Sequence, residues 1–244
     1  MLKIENVHKS FKKKPVLQGI DMTLDNGIYG FLGPNGAGKT TLIRCITGSY
    51  ELKEGSITLD DKFTSNTKDY AARLGYLPQN FGLFKDMKVG DALSYMGYLK
   101  GISKDVLKDS VTATLKAVNL DDRIGDKVGS LSGGMTRRLG IAQAIMGNPR
   151  LVILDEPTAG LDPEERIRFK KIIQSLEKDK IILISTHIAS DVEAICDKVI
   201  VINKGNILFT GPIEELEEHG KKYEDESSSE SLLEKGYLWM LNKR

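Results

Sequence analysis

The glycine-rich stretch GPNGAGKT at residues 33–40 constrains the possible folds more than any other part of the sequence. It fits the spacing G-x-x-x-x-G-K-[ST], it follows an apolar run at residues 28–32, and helical apolar spacing follows it at residues 40–47. Glycines let backbone N–H groups turn inward around phosphate groups, and a helix N-terminus adds a favourable dipole. Strand, loop and helix in this order predict a nucleotide-binding α/β fold.

Two side chains of this loop carry specific expectations. Lys39 should reach the β- and γ-phosphates of a nucleotide, and the hydroxyl of Thr40 should ligate Mg²⁺. Thr41 either contacts the α-phosphate or is simply a threonine at the start of a helix, and the sequence leaves both readings open. The other expected phosphate-binding positions of the loop are Gly33, Asn35, Gly36, Ala37 and Gly38.

The stretch LVILDE at residues 151–156 places two carboxylates directly after a buried strand. Ligand sites of α/β sheets collect at this end of the strands, so Asp155 is expected to hold Mg²⁺ directly or through water. Glu156 can orient or deprotonate an attacking water. The alternative, a solvated acidic turn before Pro157, loses weight because a phosphate loop lies upstream.

The stretch LSGGM at residues 131–135 stands before a segment with helical spacing. Ser132 can cap that helix, and Ser132 with Gly133 and Gly134 can form a second anion-binding surface. Taken alone, an ordinary N-cap turn would explain the same residues.

Apolar runs and turn residues predict the remaining elements. Two continuous runs separated by a helix indicate parallel strands buried on both faces, and two later strands joined across Lys204 and Gly205 indicate a hairpin. A mostly helical block, about residues 86–148, interrupts the α/β pattern. The expected strands are an alternating face at Leu2, Ile4 and Val7, then 55–59, 74–78, 151–154, 181–184, 199–202 and 206–209, and the expected helices are 91–100, 104–118, 136–146 and 163–178.

Composition excludes several classes of protein. The formal net charge is +1, which lacks the broad positive field of many nucleic-acid binders, so no nucleic-acid partner is expected. The two cysteines, Cys45 and Cys196, are far apart and exclude a disulfide scaffold or a C-x-x-C motif. No apolar run approaches the ~18–20 residues of a membrane span, so a cytosolic chain is expected.

The C-terminal part changes in composition. Residues 214–230 hold eight carboxylates, and residues 223–231 are interpreted as a solvated linker. Apolar residues return at 232–241, where a packing helix is expected and a membrane-surface role is the alternative. His8 and His219 have no supporting constellation and are interpreted as surface residues.

The order of these motifs resembles the ATP-binding subunit of ABC (ATP-binding cassette) transporters, over residues 1 to about 215. The resemblance implies a P-loop NTPase fold with a RecA-like core, an N-terminal antiparallel β-subdomain and an α-helical subdomain inserted at about 86–148. Residues 216–244 would then be an acidic linker and an apolar tail. The matching segments are GPNGAGKTT (Walker A), YLPQ at 76–79 (Q-loop), LSGGM (signature), LVILDEP (Walker B), TAGLD at 158–162 (D-loop) and STH at 185–187 (switch histidine).

The resemblance assigns roles that the residues alone left open. Gln79 would contact Mg²⁺ or the attacking water and couple the site to a membrane partner, and His187 would hydrogen-bond the γ-phosphate. Phe11 would stack on adenine, with core packing as the alternative, and Val16 would join the ATP-binding residues. Asp162 would act at a dimer interface, and it is also a candidate helix N-cap.

The resemblance also implies an assembly. Two cassettes, identical or paralogous, would sandwich two ATP molecules head to tail, with Ser132 of one completing the site of the other. A separate transmembrane permease, of an exporter kind, would insert a short helix near Gln79 and Phe84, which places the chain on the inner face of the cell membrane. Met135 departs from the family, whose signature usually has glutamine there.

Two other classes fit less well. A non-transport ABC ATPase acting on ribosomes or DNA typically has two cassettes or a long insertion, whereas about ninety residues separate Lys39 from Ser132. A P-loop kinase or GTPase would leave the LSGGM stretch unexplained.

Overall fold

The computed structural model describes residues 1–176, 179–222 and 230–242. The chain folds into two compact units. The first consists of Met1–Thr67 and Ile181–Arg244, and the second consists of Lys68–Lys180. The expected boundaries at residue 215 and at 86–148 stay predictions. Most of the expected linker, residues 223–229, lies outside the described residues.

An antiparallel sheet opens the first unit, as the alternating sequence predicted. Its strands have the order β2-β1-β4-β5. Leu2, Ile4 and Val7 are all buried, and the strand register shifts between Ile4 and Val7. The expected strand is confirmed, with an irregularity that breaks the strict alternation. The strands are β1 (Leu2–Phe11), β2 (Lys14–Leu24), β4 (Glu54–Leu59) and β5 (Phe63–Thr64).

The first unit also contains a parallel-rich set of strands that carries the phosphate loop. β3 (Gly27–Leu32) pairs in parallel with β8 (Ile181–Ser185) and with β9 (Lys198–Asn203). Helix α1 (Lys39–Ile46) follows β3, and α7 (Ala189–Ile195) packs on it. A Cβ on Gly30 would lie 2.4 Å from Cγ1 of Val192, so this buried strand needs a glycine where α7 approaches.

The hairpin predicted across Lys204 and Gly205 is confirmed. β9 pairs antiparallel with β10 (Asn206–Pro212). Lys204 and Gly205 have φ angles of 47° and 79°, and positive φ at both central residues is the requirement of the tight hairpin turn that matches strand twist.

Two helices at the C-terminal end of the first unit pack backbone against backbone. These are α8 (Ile213–Gly220) and α9 (Leu232–Asn242). A Cβ on Gly236 would lie 2.0 Å from the carbonyl oxygen of Leu216, so only glycine permits this approach. Leu233 and Met240 of α9 are buried in the core of the unit, as expected of a packing helix.

The surface interpretation of His219 is wrong. Its ring stacks on Trp239 with 4.5 Å between centroids and 6° between planes, and its Nδ1 is buried. The reason is the close contact of α8 and α9, which the sequence around His219 does not reveal. His8 is half-exposed beside Asn6 and Glu54, so its surface interpretation holds.

Within its described residues, the second unit contains a parallel strand pair, five α-helices and two short 3₁₀ helices. β6 (Leu74–Leu77) pairs in parallel with β7 (Leu151–Asp155). The α-helices are α2 (Lys68–Ala71), α3 (Val89–Leu99), α4 (Lys104–Ala117), α5 (Gly133–Ile145) and α6 (Pro163–Ser175).

In the described part of the chain, no helix is long and apolar enough to cross a bilayer.

Several boundaries in the second unit differ from the expected ones by one to three residues, and the largest differences are in α5 and α6. α5 begins three residues before the predicted Thr136, because the Ser132 side chain caps the helix and lets both glycines join its first turn. α6 ends at Ser175, and the expected end at Lys178 lies outside the described residues.

Candidate functional site

Backbone contacts explain two glycines of the phosphate loop. A Cβ on Gly33 would lie 2.5 Å from the carbonyl oxygen of Ile202 in β9. Gly38 has a φ of 113° and lies directly before α1, with its Cβ position 3.3 Å from the carbonyl oxygen of Val16. The loop therefore fits closely against β9 and β2, and Val16 borders it. A contact between Val16 and ATP stays a prediction.

The hairpin turn supports the same loop. The backbone N–H of Gly205 donates to the carbonyl of Ala37 at 2.8 Å, and the carbonyl of Gly205 accepts from Gln18 of β2 at 3.0 Å. The turn thus fixes Ala37 by a hydrogen bond whose donor is far away in sequence. No sequence motif announced this contact.

The side chains at the start of α1 lie beside the phosphate loop, and their role in phosphate binding stays a prediction. Lys39 Nζ donates to the carbonyls of Gly33 and Pro34, so its ammonium lies over the loop. Thr40 is exposed in the first turn and Thr41 is half-buried. Asn35 and Gly36 are exposed at the tip of the loop, with open space around Gly36.

Phe11 lies outside the core, at the end of β1, where 43% of its surface is exposed. Its ring meets Tyr50 edge-on, with 5.4 Å between centroids. Tyr50 follows α1, and its hydroxyl accepts from Arg44 at 2.6 Å. The structure thus pairs Phe11 with a second aromatic residue that sequence reasoning did not single out.

His187 follows β8 in the first unit and is exposed. Thr186 holds the backbone on both sides of it. The N–H of Thr186 donates to the carbonyl of Phe31 at 3.4 Å, and its hydroxyl accepts from the N–H of Ile188 at 3.1 Å. A buried residue therefore fixes the turn that presents the histidine.

The two carboxylates of the LVILDE stretch, Asp155 and Glu156, lie at the end of β7 in the second unit. Asp155 is 4% exposed, whereas Glu156 is half-buried. Glu156 has a φ of 49°, the left-handed region that a residue with a Cβ adopts at a cost of about 1–2 kcal/mol. This backbone conformation turns the chain sharply where the strand ends.

Arg137 of α5 is the residue that sequence reasoning missed. Its guanidinium donates to carbonyls of two separate segments, Pro78–Gln79 and 155–157. Burial lowers the pKa of Arg137, and the nearby carboxylates of Asp155 and Glu156 oppose that shift. A guanidinium stays protonated throughout the physiological range, so the charge persists.

The signature segment begins α5 and contacts α6. Ser132 Oγ accepts from the N–H of Met135 at 3.2 Å, which makes it the N-cap. Gly134 lies against Glu165 of α6, which binds Arg138 through Nε and Oε2 at 3.2 Å. Gly133 has open space around it. Both glycines lie in the first turn of α5.

Asp162 caps the other helix of this pair. Its carboxylate accepts from the N–H of Glu165 at 2.9 Å, at the start of α6. The N-cap reading is confirmed by this contact. A role for Asp162 at a dimer interface stays a prediction.

A cavity of about 650 Å³ opens beside Gln79 in the second unit. Gln79 is exposed, and its backbone carbonyl accepts from Arg137 at 3.1 Å. The cavity is lined by residues 79–83 and 85 on one side and by residues from 128 to 137 on the other. Phe84, expected in the same groove, is 65% exposed and adjoins this lining.

The family model described as ABC transporter matches residues 17–159, more than half of the chain. This chain belongs to the ABC transporter family. As an ABC cassette it is an ATP-binding and ATP-hydrolysing subunit of the kind found in ABC transporters. The fold expected from the resemblance is confirmed.

Curated relatives resemble the cassette over most of their length. The linearmycin resistance ATP-binding protein LnrL of Bacillus subtilis is 34% identical over 86% of this chain and 69% of its own. The Nod factor export ATP-binding protein I of Burkholderia lata is 37% identical over 84% and 69%. NatA of Bacillus subtilis, an ABC transporter ATP-binding protein, is 35% identical over 90% and 89%.

Solved structures support the fold of the cassette. An ATP-binding subunit of an ABC transporter superposes with a TM-score of 0.83 at 23% identity, over 99% of both chains. A dimeric bacterial ABC transporter cassette superposes with a TM-score of 0.76 at 22% identity, over 87% of this chain and 98% of its own.

Proposed function

We propose that this ABC cassette hydrolyses ATP to drive a separate transmembrane permease of the exporter kind. The observation that carries the proposal is the phosphate loop before α1. This loop contacts β9 and is hydrogen-bonded by the hairpin turn. Relatives named for linearmycin resistance and for Nod factor export support the exporter class. Near-neutral charge gives no support to a nucleic-acid or ribosomal partner.

In this proposal the first unit binds the nucleotide. The loop backbone from Gly33 to Gly38 and the ammonium of Lys39 hold the phosphates, as the dipole and donors at the start of α1 favour. Phe11, which is exposed outside the core, stacks on adenine in this proposal, and Tyr50 contacts its ring in a T-shaped pair. His187 contacts the γ-phosphate, and Thr41 is a further candidate for the α-phosphate.

The second unit supplies the hydrolytic groups of the proposal. Glu156 acts as the base that orients or deprotonates water. Thr40, Gln79 and Asp155 would supply oxygen ligands, which Mg²⁺ prefers, and Asp155 is the buried carboxylate among them. When bound, Mg²⁺ neutralises charge on the phosphates. Within the described residues no cluster of three or more His, Cys, Asp or Glu forms a metal cage, and the proposal requires none.

Two cassettes are needed to complete each site in this proposal. Ser132, Gly133 and Gly134 at the start of α5 present a helix N-terminus to the γ-phosphate held by a second copy or a paralogue. Asp162 joins the interface while it caps α6. A dimer of identical cassettes would be isologous.

The permease is proposed to dock at the cavity beside Gln79. This cavity of about 650 Å³ has room for a short helical segment, and exposed Phe84 adds an apolar contact. Docking there places the cassette on the inner face of the membrane, attached through its partner.

The Glu156→Gln variant tests this proposal. It retains the shape of the side chain but loses the base, so it should bind ATP and stop hydrolysis. Light-scattering chromatography should show a monomer without nucleotide and a dimer with Mg-ATP. ATP turnover at the wild-type rate would show that Glu156 is not the catalytic base.

Lys39→Ala serves as the matched control for nucleotide binding. It removes the ammonium over the loop, so it should weaken ATP binding and show no ATP-dependent dimer. A Glu156→Gln protein that binds ATP but stays monomeric would contradict the self-dimer and favour a paralogous partner.

A further inference from the structure

One side chain of α5 joins two segments that are distant in sequence. Arg137 Nε donates to the carbonyl of Pro157 at 2.9 Å, and Nη2 donates to the carbonyls of Asp155, at 2.8 Å, and Glu156. Three consecutive carbonyls therefore converge on one guanidinium. Hydrogen bonds from a charged donor are roughly twice as strong as neutral ones.

The remaining nitrogen of the same guanidinium faces the other segment. Nη1 donates to the carbonyl of Gln79 at 3.1 Å and, more weakly, to that of Pro78 at 3.4 Å. All three guanidinium nitrogens thus bind backbone oxygens. Only the planar fork of arginine can reach both segments at once, since lysine has a single nitrogen.

The backbone that Arg137 binds is the strained part of the site. Glu156 has a φ of 49°, and its own carbonyl is one of the acceptors. A residue with a Cβ persists in this conformation only where its surroundings hold it. Without the guanidinium, the peptide units around Glu156 would lose their common donor and could relax.

We propose that Arg137 is a positioning residue for ATP hydrolysis, which holds the backbone carrying Glu156 and ties it to the backbone carrying Gln79. The inference rests on the proposed function of Glu156 as the base. Because Arg137 and Gln79 both line the cavity beside the Q-loop, an occupant of that cavity touches the residue that positions the base.

The kinetic test compares Arg137→Lys with Arg123→Lys in the full-length chain. Arg137→Lys should lower kcat for ATP about tenfold or more and leave KM within about twofold, since misplacing a base by an ångström has effects of this size. Arg123 is an exposed arginine paired with Asp122 and Asp126 in the same unit, so Arg123→Lys should leave both constants unchanged.

Amide hydrogen exchange provides a readout that does not depend on activity. In Arg137→Lys and Arg137→Ala, exchange should rise in both 74–79 and 151–157, and in neither segment of Arg123→Lys. A protein that merely lost stability would exchange faster throughout, and that outcome would contradict the positioning role.

The outcomes separate this inference from the proposed function. If Glu156→Gln stops hydrolysis while Arg137→Lys keeps kcat within twofold of wild type, the positioning role is wrong and the base assignment stands. If Glu156→Gln leaves turnover unchanged, the base assignment fails, and the exchange data alone decide whether Arg137 ties the two segments. Parallel loss of ATP binding and kcat in Arg137→Lys would also overturn the inference.

Discussion

At the scale of single residues, Gly134 shows why the signature segment needs a residue without a side chain. A Cβ there would lie 2.7 Å from Cγ and Cδ of Glu165. Glu165 cannot easily move away, because Arg138 and Arg168 both bind its carboxylate. The glycine therefore has a packing reason that is independent of any phosphate.

Gly134→Ala should lower the free energy of unfolding by about 1–3 kcal/mol, as expected when a methyl group is forced into a filled site. The measurement is urea denaturation of the nucleotide-free protein. Gly133→Ala is the matched control, since nothing lies within 4 Å of its Cβ position. Equal stability of the two variants would show that Glu165 yields without cost.

At the scale of the element, each end of α5 has a polar side chain suited to it, and the one at the C-terminal end comes from the residue after α3. Ser132 caps its N-terminus, and Lys100 lies at its C-terminus, where Nζ donates to the carbonyls of Gln143, Ala144 and Met146 at 2.9–3.1 Å. A cation at this end complements the helix dipole. Burial nevertheless lowers the pKa of Lys100 to about 8, because the ammonium is largely removed from water.

This shift predicts a pH dependence of stability. Lys100 binds its proton less tightly in the folded chain than in the unfolded chain, whose pKa is 10.5. The unfolded state therefore holds more protons between pH 8 and 10.5, so the contribution of Lys100 to stability rises with pH across that window and is smallest below pH 8.

Lys100→Met tests the effect, since methionine has a similar length and no charge. The free energy of unfolding of the wild type, taken relative to that of the variant, should be roughly 1–2 kcal/mol higher at pH 9.5 than at pH 7.5. The wild type thus gains stability as the pH rises. Chemical denaturation at both pH values measures this difference. A difference independent of pH would mean that the three carbonyls offset the burial of the ammonium.

At the scale of the whole molecule, Met135 is the residue of the signature segment whose effect on the proposed sandwich of two cassettes can be tested. The family usually has glutamine there, and the methionine thioether cannot donate a hydrogen bond. Met135 follows both glycines in the first turn of α5. Its side chain therefore belongs to the surface that would face the nucleotide of the second cassette.

Met135→Gln in the Glu156→Gln background should strengthen the ATP-dependent dimer by about 5–150-fold, the effect of one added hydrogen bond of about 0.5–1.5 kcal/mol at each of the two sites. Sedimentation at several protein concentrations with Mg-ATP gives the dissociation constant. Met135→Leu is the apolar control and should match the parent. An unchanged constant in Met135→Gln would make the departure from the family neutral.

The sequence by itself determined the elements whose chemistry is local. Glycines with a lysine and a threonine specify the phosphate loop, a type of turn specifies the hairpin at Lys204 and Gly205, and buried runs specify β7 and β8. Each of these follows from backbone freedom or from periodicity within a few residues. The fold class could therefore be predicted, together with the candidate residues of the site.

Only the tertiary structure decided which distant groups support those elements. Arg137 binds carbonyls about twenty and sixty residues away, and every residue has a carbonyl, so no side-chain pattern marks its partners. No pattern in the sequence predicts the hydrogen bond from Gly205 to Ala37 or the stacking of His219 on Trp239. Backbone acceptors and packed faces acquire their partners from the path of the chain in space. For this reason the motif predicted Glu156 as the candidate base, and only the fold revealed that Arg137 binds its backbone.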